Sequence, residues 1–246
     1  MPRLGQQDET TFAGGGFQFS AVSVDKLTET QYTLVTIAVD ISGSVGGFDD
    51  QLLNMLRAAV EGCKKSPTAE NILIRVLTFN SDVTEVHGFR VASGIDPTAD
   101  YSSLRPYGFT ALTRAAYEGF SAIVEYGKNL VAQDFDTNGI LFVITDGMDN
   151  QSGNITNRMV KEVIEDARKT EQLGAIRSIL IGINDVDCRS ALTTWQQECG
   201  MDEFISMGDV TPGKLAKLGG FVSQSVSSSS QSLITGHAAP APTLTI

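Results

Sequence analysis

Asp40, Ser42 and Ser44 place three oxygen-bearing side chains at alternate positions directly after an apolar run, residues 34–39. A continuous apolar run of this length is typical of a strand that is buried on both faces of a parallel sheet. Where such a strand ends, side chains at alternate positions can turn their oxygens toward one point. One carboxylate and two hydroxyls are hard ligands that suit a divalent cation. The spacing therefore predicts a cation site at the end of this strand.

Two further segments add oxygen ligands to this predicted site. Thr110 stands just before a helical pattern, where we expect it to act as the N-cap with its hydroxyl facing out of the loop. Asp146 follows another apolar run, residues 140–145, so it should lie at the same sheet edge as Asp40. If the two strands are neighbours, the three loops converge. Thr113 competes with Thr110 as a ligand, but it lies a turn into the helix.

Other polar and aromatic residues carry weaker signals. Asp149 either supports the site from behind the ligands or only solvates its loop, and the sequence leaves both alternatives open. Trp195 is expected to be a packing residue, and His87 a surface or half-buried strand residue. A Ser-His-Asp triad is not expected, because His237 falls in a predicted loose tail and His87 at the sheet margin.

Strand and helix patterns alternate along the chain. Predicted strands cover residues 17–21, 33–39, 72–79, 83–89, 140–145, 178–183 and 203–206, the first being a short edge strand, and predicted helices cover residues 48–64, 111–131, 158–173, 188–199 and 211–226. This alternation predicts an α/β fold with a doubly wound, mostly parallel central sheet and helices on both faces. Such sheets bind ligands beyond the carboxyl ends of their strands.

The two ends of the chain are predicted to lie outside the folded domain. Residues 1–16 should form a flexible arm, because they have too few large apolar groups to offset the entropy of ordering. Residues 17–226 should form the domain. Residues 227–246 should be a disordered tail rich in Ser, Ala and Pro, with a docking or modification segment as the alternative.

Three motifs in this order resemble the von Willebrand factor type A domain with an intact metal-ion-dependent adhesion site. They are Asp-x-Ser-x-Ser from Asp40, Gly-x-Thr-x-Leu from Gly108, and Ile-Thr-Asp-Gly from Ile144. The resemblance covers roughly residues 34–226, and within the family the ending at residues 221–227 looks most like bacterial cytoplasmic members of the tellurium-resistance type. It implies that the metal ligands are Asp40, Ser42, Ser44, Thr110 and Asp146.

The resemblance also implies what the site does. In the family, the sixth coordination position is left to water or to an acidic side chain of a partner. Two carboxylates balance a divalent ion and hydroxyls add no charge, so the metal keeps affinity for one more anionic oxygen. We expect Mg²⁺, for which Ca²⁺ or Mn²⁺ could substitute. The implied function is a non-enzymatic, metal-dependent protein-protein interaction module in a bacterial stress-response or defence assembly, with loops 43–48, 104–110 and 147–156 supplying specificity for a partner Asp or Glu.

Two other functions are weighed against this one. In the first, the protein is a structural scaffold whose metal only stabilises the fold. In the second, it is a metal-dependent phosphatase or hydrolase. Phosphate chemistry after Asp40 would normally need a second acidic residue two positions on and a nearby Lys, but position 42 is Ser and the motif has no neighbouring Lys. The second alternative is therefore the weaker.

The net charge and the cysteine pattern limit which partners and which cellular compartment are expected. The net charge of -11 argues against attraction to nucleic acid or to an anionic membrane. Cys63, Cys188 and Cys199 form neither an even disulfide set nor a Cys-x-x-Cys pair, which indicates a reducing compartment, although a Cys188–Cys199 bridge stays open. The polar, glycine-rich start does not read as a signal peptide, and we expect the protein in the cytoplasm. The oligomeric state is not predicted.

Overall fold

The computed structural model describes residues 9–14, 16–170, 173–237 and 242–244. Eight strands are described: β1 (Glu9–Gly14), β2 (Phe17–Val22), β3 (Gln31–Asp40), β4 (Ile72–Phe79), β5 (Val83–Val91), β6 (Asp136–Thr145), β7 (Ile176–Gly182) and β8 (Glu203–Ser206). Six α-helices are described with them: α1 (Asp49–Lys64), α2 (Pro97–Asp100), α3 (Leu112–Val131), α4 (Asn157–Lys169), α5 (Arg189–Glu198) and α6 (Pro212–Thr235).

The strands form one sheet in the order β1-β2-β5-β4-β3-β6-β7-β8. Strand β3 is central and runs parallel to both of its neighbours, β4 and β6, and the parallel arrangement continues through β7 to β8. Antiparallel pairing occurs between β1 and β2 and between β4 and β5. The predicted mostly parallel α/β sheet is confirmed.

The continuous apolar run of β3 supplies both faces of the core. Leu34 and Ala38 pack on the side of α3, α4 and α5, whereas Val35, Ile37 and Val39 pack on the side of α1 and α6. All five side chains are fully buried. This two-sided burial explains why the strand is apolar at nearly every position rather than at alternate ones.

The two central strands lead to opposite faces of the sheet. After β3 the chain enters α1, which packs on one face, and after β6 it enters α4, which packs on the other. Connections that diverge from neighbouring parallel strands leave a crevice at the carboxyl edge of the sheet, where doubly wound folds bind their ligands. Asp40 and Asp146 stand at this edge, as the sequence predicts.

The predicted N-terminal arm is wrong for residues 9–14, which form β1 and pair with β2. The reason is aromatic packing: the ring of Phe12 stacks on Phe19 at 5.4 Å and meets Tyr126 edge-on at 5.3 Å. Strand β2 is therefore not the edge strand that its pattern predicted, because β1 lies outside it in the sheet. The rest of the predicted arm, residues 1–8 and Gly15, lies outside the described residues.

The predicted C-terminal tail is wrong for residues 227–235, because α6 continues to Thr235. Serine is a poor helix former, but packing against the sheet outweighs this preference. The side-chain amide of Asn138 donates to the Ser229 carbonyl at 3.3 Å, and Ser230 is fully buried. Residues 238–241 and 245–246 of the predicted tail lie outside the described part of the chain, as do residues 171–172 of the helix predicted over 158–173.

His87 is buried, so its predicted surface or half-buried position is wrong. Its Nε2 bonds to the Tyr101 hydroxyl and its Nδ1 to the Gly88 carbonyl, each at 2.7 Å. Burial lowers the pKa of His87 to about 4. Trp195 packs in the core, as predicted.

All three cysteines are free thiols, so the bridge between Cys188 and Cys199 that the sequence left open is not formed. Among the described residues, none of the helices is both long enough and apolar enough to cross a membrane.

Candidate metal centre

Asp40 ends β3 as a fully buried carboxylate. Its Oδ1 accepts a hydrogen bond from the Ser42 backbone N–H at 2.7 Å, which turns the chain sharply after the strand. Its Oδ2 accepts from the Thr145 hydroxyl at 2.6 Å. Both carboxylate oxygens are therefore held in place by neighbouring groups.

A chain of short contacts links Asp40 to the second carboxylate. The hydroxyls of Ser42 and Ser44 lie 3.1 Å apart, and the Ser44 hydroxyl donates to Asp146 Oδ1 at 2.8 Å. Ser42 is buried, whereas Ser44 is exposed. The structure thus brings four of the five predicted ligands into one connected group at the carboxyl edge of the sheet.

Thr110, the fifth predicted ligand, lies on a loop that is fastened to this group at two places. The Gly43 N–H donates to the Gly108 carbonyl at 3.1 Å. The Thr110 N–H donates to Asn150 Oδ1 at 2.7 Å, and the Thr110 carbonyl accepts from the Asn150 N–H at 2.9 Å. The Thr110 hydroxyl makes no hydrogen bond to any other described residue, so it is free to serve as a ligand.

Thr110 is not the N-cap of α3, which corrects the sequence prediction. Helix α3 begins at Leu112 with Ala111 in the cap position, and that residue has no capping side chain. The cap comes instead from the loop after β6, where Asp149 Oδ1 accepts from the Thr113 N–H at 3.0 Å. Asp149 also accepts from the Ser152 hydroxyl. Asp149 therefore positions the start of α3, two residues after Thr110, which agrees with the supporting alternative and not with simple solvation of its loop.

Thr113, the competing candidate, uses its hydroxyl inside the protein. It accepts from the Trp195 Nε1–H at 3.0 Å and donates to Asn157 Oδ1 at 3.2 Å. The side chain is buried. These contacts direct the Thr113 hydroxyl to the interior and favour Thr110 for the site.

Burial perturbs both carboxylates of the site. Burial is the main cause that raises the pKa of Asp40 to about 6. The hydrogen bonds from Thr145 and Ser42 act against this increase, and the nearby Asp146 carboxylate adds to it. Burial also raises the pKa of Asp146. Neither carboxylate forms an ion pair with a Lys, Arg or His of the described residues. Their negative charges are thus left uncompensated by the protein.

The residues fit a divalent cation. Two close carboxylates without a cationic neighbour would be neutralised by such an ion, and the hydroxyls of Ser42, Ser44 and Thr110 add neutral oxygens. Clusters of three or more His, Cys, Asp or Glu side chains are absent from the described residues. A metal at this position therefore depends on hydroxyl ligands, a pattern that suits Mg²⁺, Mn²⁺ or Ca²⁺ better than zinc. The assignment of the five ligands stays a prediction.

Two supporting residues, Thr145 and Asn150, were missed at the sequence level. Thr145 precedes Asp146 at the end of β6, and the register that pairs Val39 with Ile144 places Thr145 beside Asp40. Its hydroxyl at the end of an apolar strand was an available signal. Asn150 has no such signal, because its contact with Thr110 depends on two loops that meet only in the fold.

Comparisons with known proteins bear on the fold. No family model matches the chain, and no curated protein matches it. Solved structures do: the minor pilin PilB of Streptococcus sanguinis matches with a TM-score of 0.59 and 16% identity over 93% of this chain and 68% of the pilin. The pilus adhesin SpaC of Lactobacillus rhamnosus GG matches with a TM-score of 0.58 and 11% identity over 90% of this chain and 34% of the adhesin.

A third match gives the fold its name. The von Willebrand factor domain of the type V pili tip protein Mfa5 of Porphyromonas gingivalis matches with a TM-score of 0.52 and 14% identity. The match covers 83% of this chain and 98% of that domain. Together with the sheet order and the flanking helices, this likeness shows that the chain has a von Willebrand factor type A-like α/β fold.

Proposed function

We propose that this chain is a metal-dependent protein-protein interaction module. The residues that would hold the divalent cation, Mg²⁺ with Ca²⁺ or Mn²⁺ as substitutes, are Asp40, Ser42, Ser44, Thr110 and Asp146. The observation that carries the proposal is the pair of carboxylates joined through two serine hydroxyls at the carboxyl edge of the sheet, without a cationic partner among the described residues.

The chain's own residues orient the ligand atoms. The Ser42 N–H and the Thr145 hydroxyl hold the Asp40 carboxylate, and Asn150 holds the backbone of Thr110. When bound, the cation supplies a coordination position for one more anionic oxygen. An Asp or Glu side chain of a partner protein would take that position, so that association depends on the metal.

The structural matches support protein association as the role of the fold. The proteins concerned are a minor pilin, a pilus adhesin and a pilus tip protein. For the biological setting we propose a bacterial stress-response or defence assembly, because the ending at residues 221–227 resembles that of the tellurium-resistance type. We propose no role in binding nucleic acid or membrane, because the chain is strongly acidic.

The proposed compartment is the cytoplasm, and its support is the three unpaired thiols. A membrane-impermeant maleimide applied to intact cells and to lysate tests it, with Cys188 as the partly exposed target and Cys188→Ser as the control. Labelling in lysate alone supports a cytoplasmic protein. Equal labelling of intact cells contradicts it.

A non-enzymatic role agrees with the positions of the two histidines. His87 bonds to Tyr101 and Gly88, and His237 follows the end of α6, where it bonds to the Thr235 carbonyl. Neither has a hydrogen bond to a residue of the candidate site. Phosphate release from a generic ester that is abolished in Asp40→Ala would revive the hydrolase alternative.

Capture of partners from a lysate of the source cells tests the proposal. The baits are the wild type, Asp146→Ala and Asp25→Ala, each with Mg²⁺ and with chelator. Asp25 is an exposed carboxylate after β2, at the opposite edge of the sheet, so its variant controls for the loss of one negative charge. We expect capture by the wild type and Asp25→Ala in Mg²⁺ only, and none by Asp146→Ala. Capture that chelator and Asp146→Ala leave unchanged would instead favour the structural scaffold.

A further inference from the structure

A cavity of about 390 Å³ adjoins the candidate metal centre. Its wall includes the apolar side chains of Ile41, Leu53, Leu56 and Leu104 and the ring of Tyr107. The cavity is not needed for metal binding, since none of the five predicted ligands lines it. Its size accommodates a large side chain from another molecule.

Backbone hydrogen bonds fix this cavity beside the ligands. The Tyr107 N–H donates to the Ile41 carbonyl at 3.0 Å, next to the bond from Gly43 to Gly108. The loop of residues 104–110 therefore pairs with the turn that follows β3. Ile41 lines the cavity, and the residues on either side of it in sequence are two predicted metal ligands. A peptide bound at the metal would thus lie next to the cavity.

Exposed apolar side chains concentrate at the same edge of the sheet. Among the described residues, the three most exposed large hydrophobic side chains are Tyr107 at 64%, Phe109 at 61% and Val186 at 57%. Two stand on the 104–110 loop, and Val186 stands on the loop after β7, close to Cys188, whose thiol contacts the Asp146 carbonyl at 3.5 Å. Apolar surface gathered around one site marks an interaction surface.

Arg105 gives this surface a charge preference, because Asp100, the carboxylate that also lines the cavity, is paired with Arg90 at 3.6 Å. It is exposed and lines the cavity, and it has no hydrogen bond or ion pair to another described residue. In a chain of net charge -11, such a free guanidinium favours an acidic segment, and it suits a carboxylate in a two-point contact.

We propose that the cavity receives a large apolar side chain of the same partner segment that offers its carboxylate to the metal. A second acidic residue of that segment pairs with Arg105. The occupant is therefore an acidic peptide segment with a Leu, Phe or Trp close to the metal-binding Asp or Glu. This inference rests on the proposed function, and a second copy of this chain is the competing occupant.

Synthetic peptides of twelve residues provide the probe. Each carries one central Glu and a second Glu, and one position within four residues of the centre is varied among Ala, Leu, Phe and Trp. Binding to the full chain is measured by fluorescence anisotropy in Mg²⁺ and in chelator. Burying a large apolar side chain should strengthen binding tenfold to about a hundredfold over the Ala peptide at a preferred spacing.

Variants at the edge of the cavity separate its contribution from that of the metal. Tyr107→Ala removes part of the wall, and Ser103→Trp fills the cavity from an exposed position. Val131→Ala is the control, because Val131 is an exposed apolar side chain at the C-terminal end of α3 and does not line the cavity. The apolar preference is the ratio of the affinity of the Leu, Phe or Trp peptide to that of the Ala peptide. We expect this ratio to fall below about threefold in the first two variants and to stay unchanged in the control. Arg105→Glu should weaken all peptides that carry the second Glu.

The outcomes distinguish the two proposals. Magnesium-dependent binding without any apolar preference overturns the cavity inference and leaves the proposed function standing. Binding that chelator or Asp146→Ala does not weaken, or no magnesium-dependent binding in the whole set, contradicts the proposed function. A magnesium-dependent dimer that excludes the peptides, and that Tyr107→Ala dissociates, would assign the cavity to a second copy and overturn the peptide assignment.

Discussion

At the scale of single residues, the centre is a pair of carboxylates whose environment opposes their charge. Asp40 is fully buried and Asp146 is partly buried, and hydroxyl groups rather than cations surround both. A buried carboxylate without a counter-ion destabilises the metal-free protein when it is ionised. With a divalent cation bound, the ionised carboxylate would instead stabilise the fold.

The first prediction concerns the pH dependence of stability in chelator. The pKa of Asp40 is about 6 in the fold and about 3.9 in the unfolded chain, so folding favours the protonated form. The stabilising contribution of Asp40 to the free energy of unfolding is fully present below about pH 4 and is lost as the pH rises through 6. Relative to Asp40→Asn, the wild type should lose about 2 to 3 kcal/mol of unfolding free energy between pH 4 and pH 7.

Urea denaturation of both proteins at several pH values measures this difference. The amide of Asp40→Asn is isosteric with the carboxylate and can still bond to Ser42 and Thr145, which makes it a suitable reference. A difference that stays constant from pH 4 to pH 7 would show that Asp40 is not a strained, uncompensated acid.

The second prediction separates the two threonines. Thr110→Val should lower Mg²⁺ affinity at least tenfold, as measured by calorimetry, with little change in stability. Thr113→Val should leave Mg²⁺ affinity within about threefold. It should cost about 1 to 3 kcal/mol of unfolding free energy, because the buried Trp195 Nε1–H loses its acceptor. If Thr113→Val lowered the Mg²⁺ affinity and Thr110→Val did not, Thr113 rather than Thr110 would be the metal ligand.

At the scale of the elements, the N-terminal hairpin of β1 and β2 is joined to the sheet by few backbone contacts. A single parallel pair, Ala21 and Phe89, connects β2 to β5. Side chains strengthen the junction: Glu85 accepts from the backbone and hydroxyl of Ser20 and pairs with the buried Arg75 at 2.7 Å. The attachment of the hairpin to the sheet therefore depends on the close approach of β2 to β5.

The third prediction tests that approach at Gly88. A Cβ added there would lie 1.9 Å from the Ser20 carbonyl oxygen, so Gly88→Ala must displace β2. We expect the free energy of unfolding to fall by about 2 kcal/mol and the hydrogen-exchange protection of β1 and β2 to weaken. Mg²⁺ affinity should not change, since the hairpin lies far along the sheet from β3. Gly94→Ala is the control, because a Cβ there would meet nothing within 4 Å.

Elements and ligands differ in how far the sequence alone can specify them. The ends of β3 and β6 were predictable, because apolar runs mark buried strands and parallel neighbours end at one edge. The cap that Asp149 gives to α3 was not, because it joins loops 36 residues apart. The last turns of α6 were missed because their serines are poor helix formers, and contacts such as that of Asn138 with Ser229 stabilise them only in the fold.

At the scale of the whole molecule, the fold places a polar centre, an apolar cavity and a free Arg on one edge of the sheet. The connections that diverge from β3 and β6 leave room there, and the 104–110 loop lies beside the turn after β3. The acidic net charge disfavours non-specific association with other acidic surfaces. Selective recognition of the proposed acidic partner would therefore require the metal and Arg105.

The fourth prediction is a stabilisation of the whole fold by metal. Mg²⁺ at about 100 times its dissociation constant should raise the unfolding free energy by roughly 2.7 kcal/mol, because only the folded state assembles the ligands. Thermal unfolding with and without Mg²⁺, Mn²⁺ or Ca²⁺ measures the effect, and Asp146→Ala should show none. A melting temperature that none of the three ions raises would contradict an occupied site.

Anomalous scattering of Mn²⁺ in a crystal of this protein is the most direct test of the proposed metal site. We expect one strong peak within bonding distance of oxygens from Asp40, Ser42, Ser44, Thr110 or Asp146, and no such peak in crystals of Asp146→Ala. A peak at another position, or no peak between Asp40 and Asp146 at millimolar Mn²⁺, would show that these residues do not form a metal site.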